Sequence, residues 1–441
     1  MLYENSATKN LGKLKSGEIT SVQLVKSYLE RINETDRSIQ AWASLDPDFA
    51  LDQAEKWDEI YAKGLPLGTL HGLPIGIKDI IDTKDFPTEW GTPVFKGRQP
   101  KHDAFLVARL KEAGAVLLGK TTCTEFALFS PSKTHNPHNP DYTPGGSSSG
   151  SAAATAAKQI PLALGTQTDS SLICPASYCG TYAFKPTIGV LSRRGLEPIS
   201  QHFDQPGIFA NSIEDLILLG DCLSAYDPRD PLSYPRPRPQ LSTALTSPLS
   251  KPPRFVWFDL PYADQLDEQS RQLFEDLLSR LNGKVTRIKA PSSFDDYVSA
   301  LVSTYSYEIS RYQNHIYSKN WNQLSEEMQS FVKTCEGLTQ THYDNALKLK
   351  NQCDAYFSTF FESFDAVLTP SSTGIAPKFE EGIGNPVFCS LWTFAGLPAL
   401  NLPIFISENG MPVGLQMIGA RERDSELLAS AAWLEDELRA S

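Results

Sequence analysis

Paired cysteines, long apolar runs and an excess of positive charge are all missing from this chain of 441 residues. Each absence closes a class of function. The cysteines stand singly at Cys123, Cys174, Cys179, Cys222, Cys335, Cys353 and Cys389, odd in number and with no Cys-x-x-Cys pair. Neither a disulfide framework nor a zinc site is expected from them. No apolar run approaches the ~20 residues of a membrane span. The start, Met1-Leu2-Tyr3-Glu4-Asn5-Ser6, has no basic end followed by an apolar core, so no signal peptide is read there and the cytoplasm is the expected location. Forty basic residues face 52 acidic ones, a formal charge of -12, which argues against nucleic acid as a generic partner. What remains is ordinary for a soluble globular protein: 41% hydrophobic and 21% charged residues, and length enough for a large core.

The chain reads as alternating helix and strand, hence as an α/β layered fold. Thr20 and Gln23 form a capping box before a helix over 20–34, with Val22, Val25, Leu29 and Ile32 on one face. Further helices are expected over 49–63, 104–113, 212–224, 265–281, 294–316, 323–360 and 424–438. Strands are expected at Ile75 and Ile77, with Lys78 at the strand's end, at 115–118, 161–164, 367–368, 397–403 and 413–418, and 180–196 reads as strand and turn material. The stretch 226–253 holds eight prolines and little periodicity, and reads as a long surface connection. No internal repeat is seen.

The most unusual stretch is 145–175. Gly145-Gly146-Ser147-Ser148-Ser149-Gly150-Ser151 runs into an alanine helix at 152–157, and Gly165-Thr166-Gln167-Thr168-Asp169-Ser170-Ser171 follows. Small-residue turns let backbone N–H groups and hydroxyls approach a ligand closely. A flexible Gly/Ser linker is the bland rival, but a linker does not lead into a packed alanine helix. No lysine follows the glycines as a Walker A loop requires. Gly146-Ser147-Ser148-Ser149-Gly150 fits a nucleophile elbow with Ser148 as nucleophile, but Asn139-Pro140-Asp141-Tyr142-Thr143-Pro144 before it is no buried strand.

A serine nucleophile needs a base. His71, His102, His135, His138, His202, His315 and His342 are scattered and complete no Ser-His-Asp triad. His135 and His138 have metal-like spacing, but Asn136-Pro137 between them reads as an irregular loop. The other candidate base is a lysine made neutral by burial, and Lys78 stands where a buried strand ends. A Lys-Asp pair at a strand end also reads as a solvated turn. Trp321, Trp392, Phe388, Tyr305, Tyr307 and Tyr312 are candidates for an apolar pocket or simply for the core.

Several separated motifs, in order, carry a resemblance. Gly-Leu-Pro-Ile-Gly-Ile-Lys-Asp at 72–79, Pro-Gly-Gly-Ser-Ser-Ser-Gly-Ser at 144–151, Gly-Thr-Gln-Thr-x-x-Ser at 165–171, Pro-Ala-Ser-Tyr-Cys-Gly at 175–180 and Phe-Lys-Pro-Thr at 184–187 resemble the amidase signature family. Leu14 to Ser21, Asp227-Pro228-Arg229-Asp230-Pro231 and the final strands over 386–419 extend the likeness, which is weakest over 232–360. The resemblance implies a single domain over 1–441, with a central twisted mixed β-sheet between helical layers. The signature core would lie at about 70–200 and a variable substrate-pocket region at about 226–360.

It also implies a Ser-cisSer-Lys triad acting on a small or medium carboxamide through an acyl-enzyme. Ser171 would be the nucleophile, Ser147 the relay on a cis peptide bond, and Lys78 the neutral base. Backbone N–H groups of Thr168, Asp169, Ser170 and Ser171 would form the oxyanion hole. No metal or organic cofactor is implied. The implied partners are an amide substrate, no nucleic acid, no membrane, and a second copy in a homodimer. Two departures stand out: Asp169-Ser170 replaces the family's small pair before the nucleophile, and Ile173 and Cys174 stand where an Arg is usual. An ionised Asp169 facing the site would oppose an oxyanion; turned away, or facing a cationic substrate, it would not. These departures keep open a homologue that transfers acyl groups or only binds. A glutaminase-type component of a tRNA-dependent amidotransferase is a further alternative.

Overall fold

Pro-Ile-Gly-Ile-Lys at 74–78 is buried along its whole length, a pattern that suits a strand covered on both faces. The computed structural model, which describes residues 1–247 and 249–440, places it inside a single mixed sheet. In chain order the strands are β1 (Trp42–Leu45), β2 (Pro74–Lys78), β3 (Val116–Thr121), β4 (Leu162–Gln167), β5 (Tyr182–Lys185) and β6 (Gln205–Ala210), then β7 (Phe255–Asp259), β8 (Val285–Lys289), β9 (Ala366–Pro370), β10 (Ala399–Ile406) and β11 (Pro412–Gly419). Their order across the sheet is β1-β3-β2-β4-β6-β5-β10-β11-β9-β7-β8. β2 runs parallel to both β3 and β4, and β7 to both β8 and β9; the other pairs are antiparallel. The fold is thus α/β with one large mixed sheet and helices packed against it.

Local chemistry explains the elements. Thr20 accepts from the Gln23 N–H and the Gln23 side chain returns to Thr20, so helix Ser21–Ile39 starts on a complete capping box. Asp46 and Ser212 cap helices Pro47–Ala62 and Ile213–Leu223 by accepting from the Phe49 and Asp215 N–H groups. Pro206 is tolerated inside β6 because there only β4 pairs with it; pairing with β5 stops at Ile208.

The structure corrects several expectations. One helix over 323–360 is in fact two, Glu326–Cys335 and Gln340–Phe360, capped by Ser325 and Thr339. The helix expected over 294–316 is Ser293–Glu308, followed by a π turn and then Asn314–Lys319. Residues 386–419 are not all strand, since Val387–Phe394 is a fully buried helix. β1, β6, β7 and β8 lie outside the expected strands. The proline-rich segment carries one short helix, Thr243–Thr246, and is fastened by buried carboxylates: Asp227 to Arg194 and Ser192, Asp230 to Arg193. Pro248 of that segment and Ser441 lie outside the described residues. Among the described residues no helix is long and apolar enough to cross a membrane.

The small-residue helix Ser149–Ala156 is buried from Ser149 to Thr155 and packs against β2, β3, β4 and β6. It fits because of Gly150: a Cβ there would stand 2.2 Å from the Ala41 carbonyl oxygen and 2.4 Å from the Thr122 nitrogen. Both are backbone atoms. Gly150→Ala is therefore expected to destabilise the protein by about 1–3 kcal/mol despite alanine's better helix propensity. Gly12→Ala, in helix Ala7–Ser16 with nothing within 4 Å, should instead be neutral or stabilising. Denaturant melts of the two variants check the opposite signs.

Candidate active site

Two parallel neighbours place the first groups. Ile77 of β2 pairs with Leu164 of β4, so Lys78 and Thr166 emerge together at the strands' carboxyl ends, where open α/β sheets bind ligands. Lys78 is completely buried. Its Nζ lies 2.7 Å from Ser147 Oγ, 2.8 Å from Thr166 Oγ1 and 3.4 Å from the Thr166 carbonyl oxygen. Burial pushes its amine down to about 7, with the nearby Cys123 and Asp204 working in the opposite direction. In the neutral form the amine keeps two N–H donors for Thr166 and turns a lone pair to the Ser147 hydroxyl. A solvated strand-end turn is thereby excluded for Lys78. Its neighbour Asp79 is buried too, within 3.3 Å of the equally buried Lys120.

Ser147 follows a cis peptide bond at Gly146–Ser147. The other serines of this stretch are spent inward. Ser148 Oγ donates to the Thr166 carbonyl, Ser149 Oγ to that of Gly145, and Ser151 Oγ to that of Leu164. Ser148 is fully buried on that bond, which corrects the nucleophile-elbow reading.

The turn after β4 forms the floor of a small cavity. Thr168, Asp169, Ser170 and Ser171 line it together with Gly146, Ala127, Leu128, Phe129, Ile199, Tyr305 and the 383–386 loop. Side chains pin this turn on several sides. Thr168 Oγ1 donates to Asp204 at 2.5 Å, and Asp204 also accepts from the Ile199 and Ser200 N–H groups. Thr393 Oγ1 donates to the Asp169 carbonyl at 2.6 Å. Gln167 Oε1 accepts from the Leu172 and Ile173 N–H groups, and its amide donates to Thr393. The Asp169 carboxyl turns towards helix Val387–Phe394, where Oδ1 accepts from Ser390 Oγ at 2.5 Å. Burial lifts Asp169 to about 7 and Asp204 to about 6; the Ser390 and Thr168 hydrogen bonds respectively restrain each rise.

Of the six aromatic candidates, only Tyr305 lines this cavity. Trp392, Phe388 and Tyr307 are core residues, Trp321 is partly buried against the core, and Tyr312 is exposed. No histidine lines it either. His135 is bonded to the Pro140 carbonyl and His138 to that of Cys179. Sequence reasoning assigned no role to Thr166, although it stands inside the Gly-Thr-Gln-Thr motif. It missed Asp204, Ser390 and Thr393 altogether, because their partners lie far away in the chain and no local pattern marks them.

A family model described as Amidase matches residues 23–428. Among curated proteins, a glutamyl-tRNA(Gln) amidotransferase component from Chloroflexus aurantiacus is 34% identical, with 97% of this chain and 95% of that one aligned. The corresponding component from Thermobifida fusca is 31% identical over 99% of this chain and 96% of its own. Among solved structures, a chain from a vestigial protein complex connected with the origins of an s-triazine catabolic enzyme superposes with TM-score 0.92, at 26% identity and 98% coverage of both chains. The native peptide amidase of Stenotrophomonas maltophilia superposes with TM-score 0.86, at 27% identity, covering 99% of this chain and 97% of that one.

The Lys78 amine is a base only when uncharged, so chemistry that depends on it should appear as pH rises through about 7. The rate of Ser171 modification by a fluorophosphonate should fall about tenfold per pH unit below that value and level off above it. A rate that keeps climbing towards about pH 10 would mean the amine retains its ordinary affinity for a proton.

Proposed function

The chain belongs to the amidase family, whose members are amidohydrolases, and from that premise we propose that it cleaves the C–N bond of a small carboxamide with Ser171 as nucleophile, Ser147 as relay and Lys78 as base. The observation that carries this reading is the buried Lys78 amine 2.7 Å from the Ser147 hydroxyl.

The steps follow from these groups. Lys78 takes the Ser147 proton as Ser147 takes that of Ser171, and Ser171 Oγ forms a bond to the amide carbon. Backbone N–H groups of Thr168, Asp169, Ser170 and Ser171 hold the oxyanion. They are preorganised by the pins on the turn, so little reorganisation remains for the moment of reaction. The proton returns through Ser147 to the leaving nitrogen, the C–N bond breaks, and water then releases the carboxylic acid from Ser171. The machinery uses no group outside the chain except substrate and water. The same reading takes the cytoplasm as location and a homodimer as assembly.

A second reading is a glutaminase-type component of an amidotransferase, favoured by the curated relatives. The cavity speaks against it. Glutamine carries an α-carboxylate, and among the described residues no lysine or arginine lines the cavity that holds Ser171. Ile173, near the place of the family's usual arginine, is a buried apolar residue.

Ammonia release from a carboxamide panel tests the proposal. Ser171→Ala and Lys78→Ala should each lower the rate by at least about 10³-fold. Equal background rates in wild type and Ser171→Ala contradict the hydrolase reading. Activity that appears only with a co-purified partner supports the second reading over the first.

A further inference from the structure

The lining of the Ser171 cavity is out of charge balance. Asp169 is its single ionisable carboxylate, and no ion pair to it is found among the described residues. Its Oδ1 is occupied by Ser390, whereas Oδ2 is buried and bonded to nothing. The titratable groups that sense its charge are Tyr305, Cys174 and Cys389, and burial holds all three in their neutral forms. The rest of the wall is largely apolar: Ala127, Leu128, Phe129, Ile199, Ile383 and Pro386. A carboxylate taken out of water without a counter-charge is costly: it either takes up a proton, the direction in which burial pushes Asp169, or it pairs with a cation at hydrogen-bond distance. The described residues supply none in contact with it.

We propose that the cation comes with the substrate: Asp169 recognises a protonated amine, and the preferred substrates are short amino-acyl amides whose ammonium lies a few bonds from the scissile carbonyl. This rests on the reading of Ser171 as nucleophile, which fixes where the carbonyl sits. Asp169 is two residues before Ser171 on the same pinned turn, so an ammonium held by its carboxylate must be close to that carbonyl. Open space of about 30 Å³ holds roughly two waters and favours a short acyl group. The pairing also removes a conflict. A lone carboxylate beside the oxyanion hole repels the developing negative charge, whereas a carboxylate neutralised by ammonium does not, so the substrate's own charge restores the site. An amide carrying a carboxylate would meet Asp169 unfavourably.

The test compares glycinamide and β-alaninamide with acetamide and propionamide near neutral pH. Wild type should favour the amino amides by about tenfold or more in kcat/KM, and the ratio should fall towards unity in Asp169→Asn. Asp169→Gly serves as a second variant should the asparagine fail to fold. Calorimetric binding of the same amides to Ser171→Ala, with and without Asp169→Asn, reads recognition without chemistry. Equal affinity for amino and alkyl amides, or a preference that survives loss of the carboxylate, overturns the proposal. Preferential binding with no hydrolysis in wild type sinks the hydrolase reading and leaves the recognition standing; hydrolysis without preference does the reverse.

Discussion

The site depends on keeping one amine out of water. Lys78 ends a strand that is buried on both faces, and the sheet, the alanine-rich helix and the turn after β4 together deny it solvent. Desolvation is the largest influence on its protonation, and it favours the neutral form. The alternative use of a buried lysine is visible next door. Lys120, equally inaccessible, sits beside Asp79 and donates to Thr88 and to the Ile81 carbonyl, so it has a carboxylate to balance a charge. Lys78 has hydroxyls and a carbonyl but no carboxylate in contact. Burial lowers the proton affinity of both lysines, but only Lys120 has a carboxylate in contact to oppose it.

The turn from Thr168 to Ser171 shows the complementary constraint. Its amides are useful only if they are held still, and the holding is done by side chains from elsewhere: Asp204 after β5, and Thr393 and Ser390 from a buried helix late in the chain. Gln167 ties the same turn to the start of helix Ile173–Cys179 through two backbone N–H groups. With Ile173 in a buried apolar position, the turn is anchored by hydrogen bonds, those to Asp204 among them, and not by an arginine ion pair. What this leaves is a pocket whose one carboxyl group, among the described residues, is that of Asp169.

Much of this was readable from residues in sequence order. Ile75, Ile77 and Lys78 betrayed a buried strand ending in a cation, and the glycines and serines at 145–151 betrayed a close backbone approach. The capping box at Thr20 and Gln23 marked a helix start to the residue. Other parts were hidden for physical reasons. β6 contains Pro206 and Gly207, which read as turn chemistry and are tolerated only because the strand is singly paired there. β8 is a half-exposed edge strand with Arg287 and Lys289, lacking an apolar signature. The break at 336–339 did leave a trace, since Gly337 and the Thr339 cap are stop and start signals inside what periodicity alone joins into one helix. Asp204 and Thr393 left none, because what they hold lies 36 and 224 residues away.

The central claim is that a neutral amine at position 78 accepts a proton from the hydroxyl at 147, which in turn reaches the hydroxyl at 171. A joint X-ray and neutron structure at mildly alkaline pH observes it directly. The account predicts an –ND₂ group on Lys78, the Ser147 deuterium directed at its nitrogen, and Ser171 Oγ within hydrogen-bond reach of Ser147 Oγ. An –ND₃⁺ group donating to Ser147, or a Ser171 hydroxyl held away from it, would contradict the account.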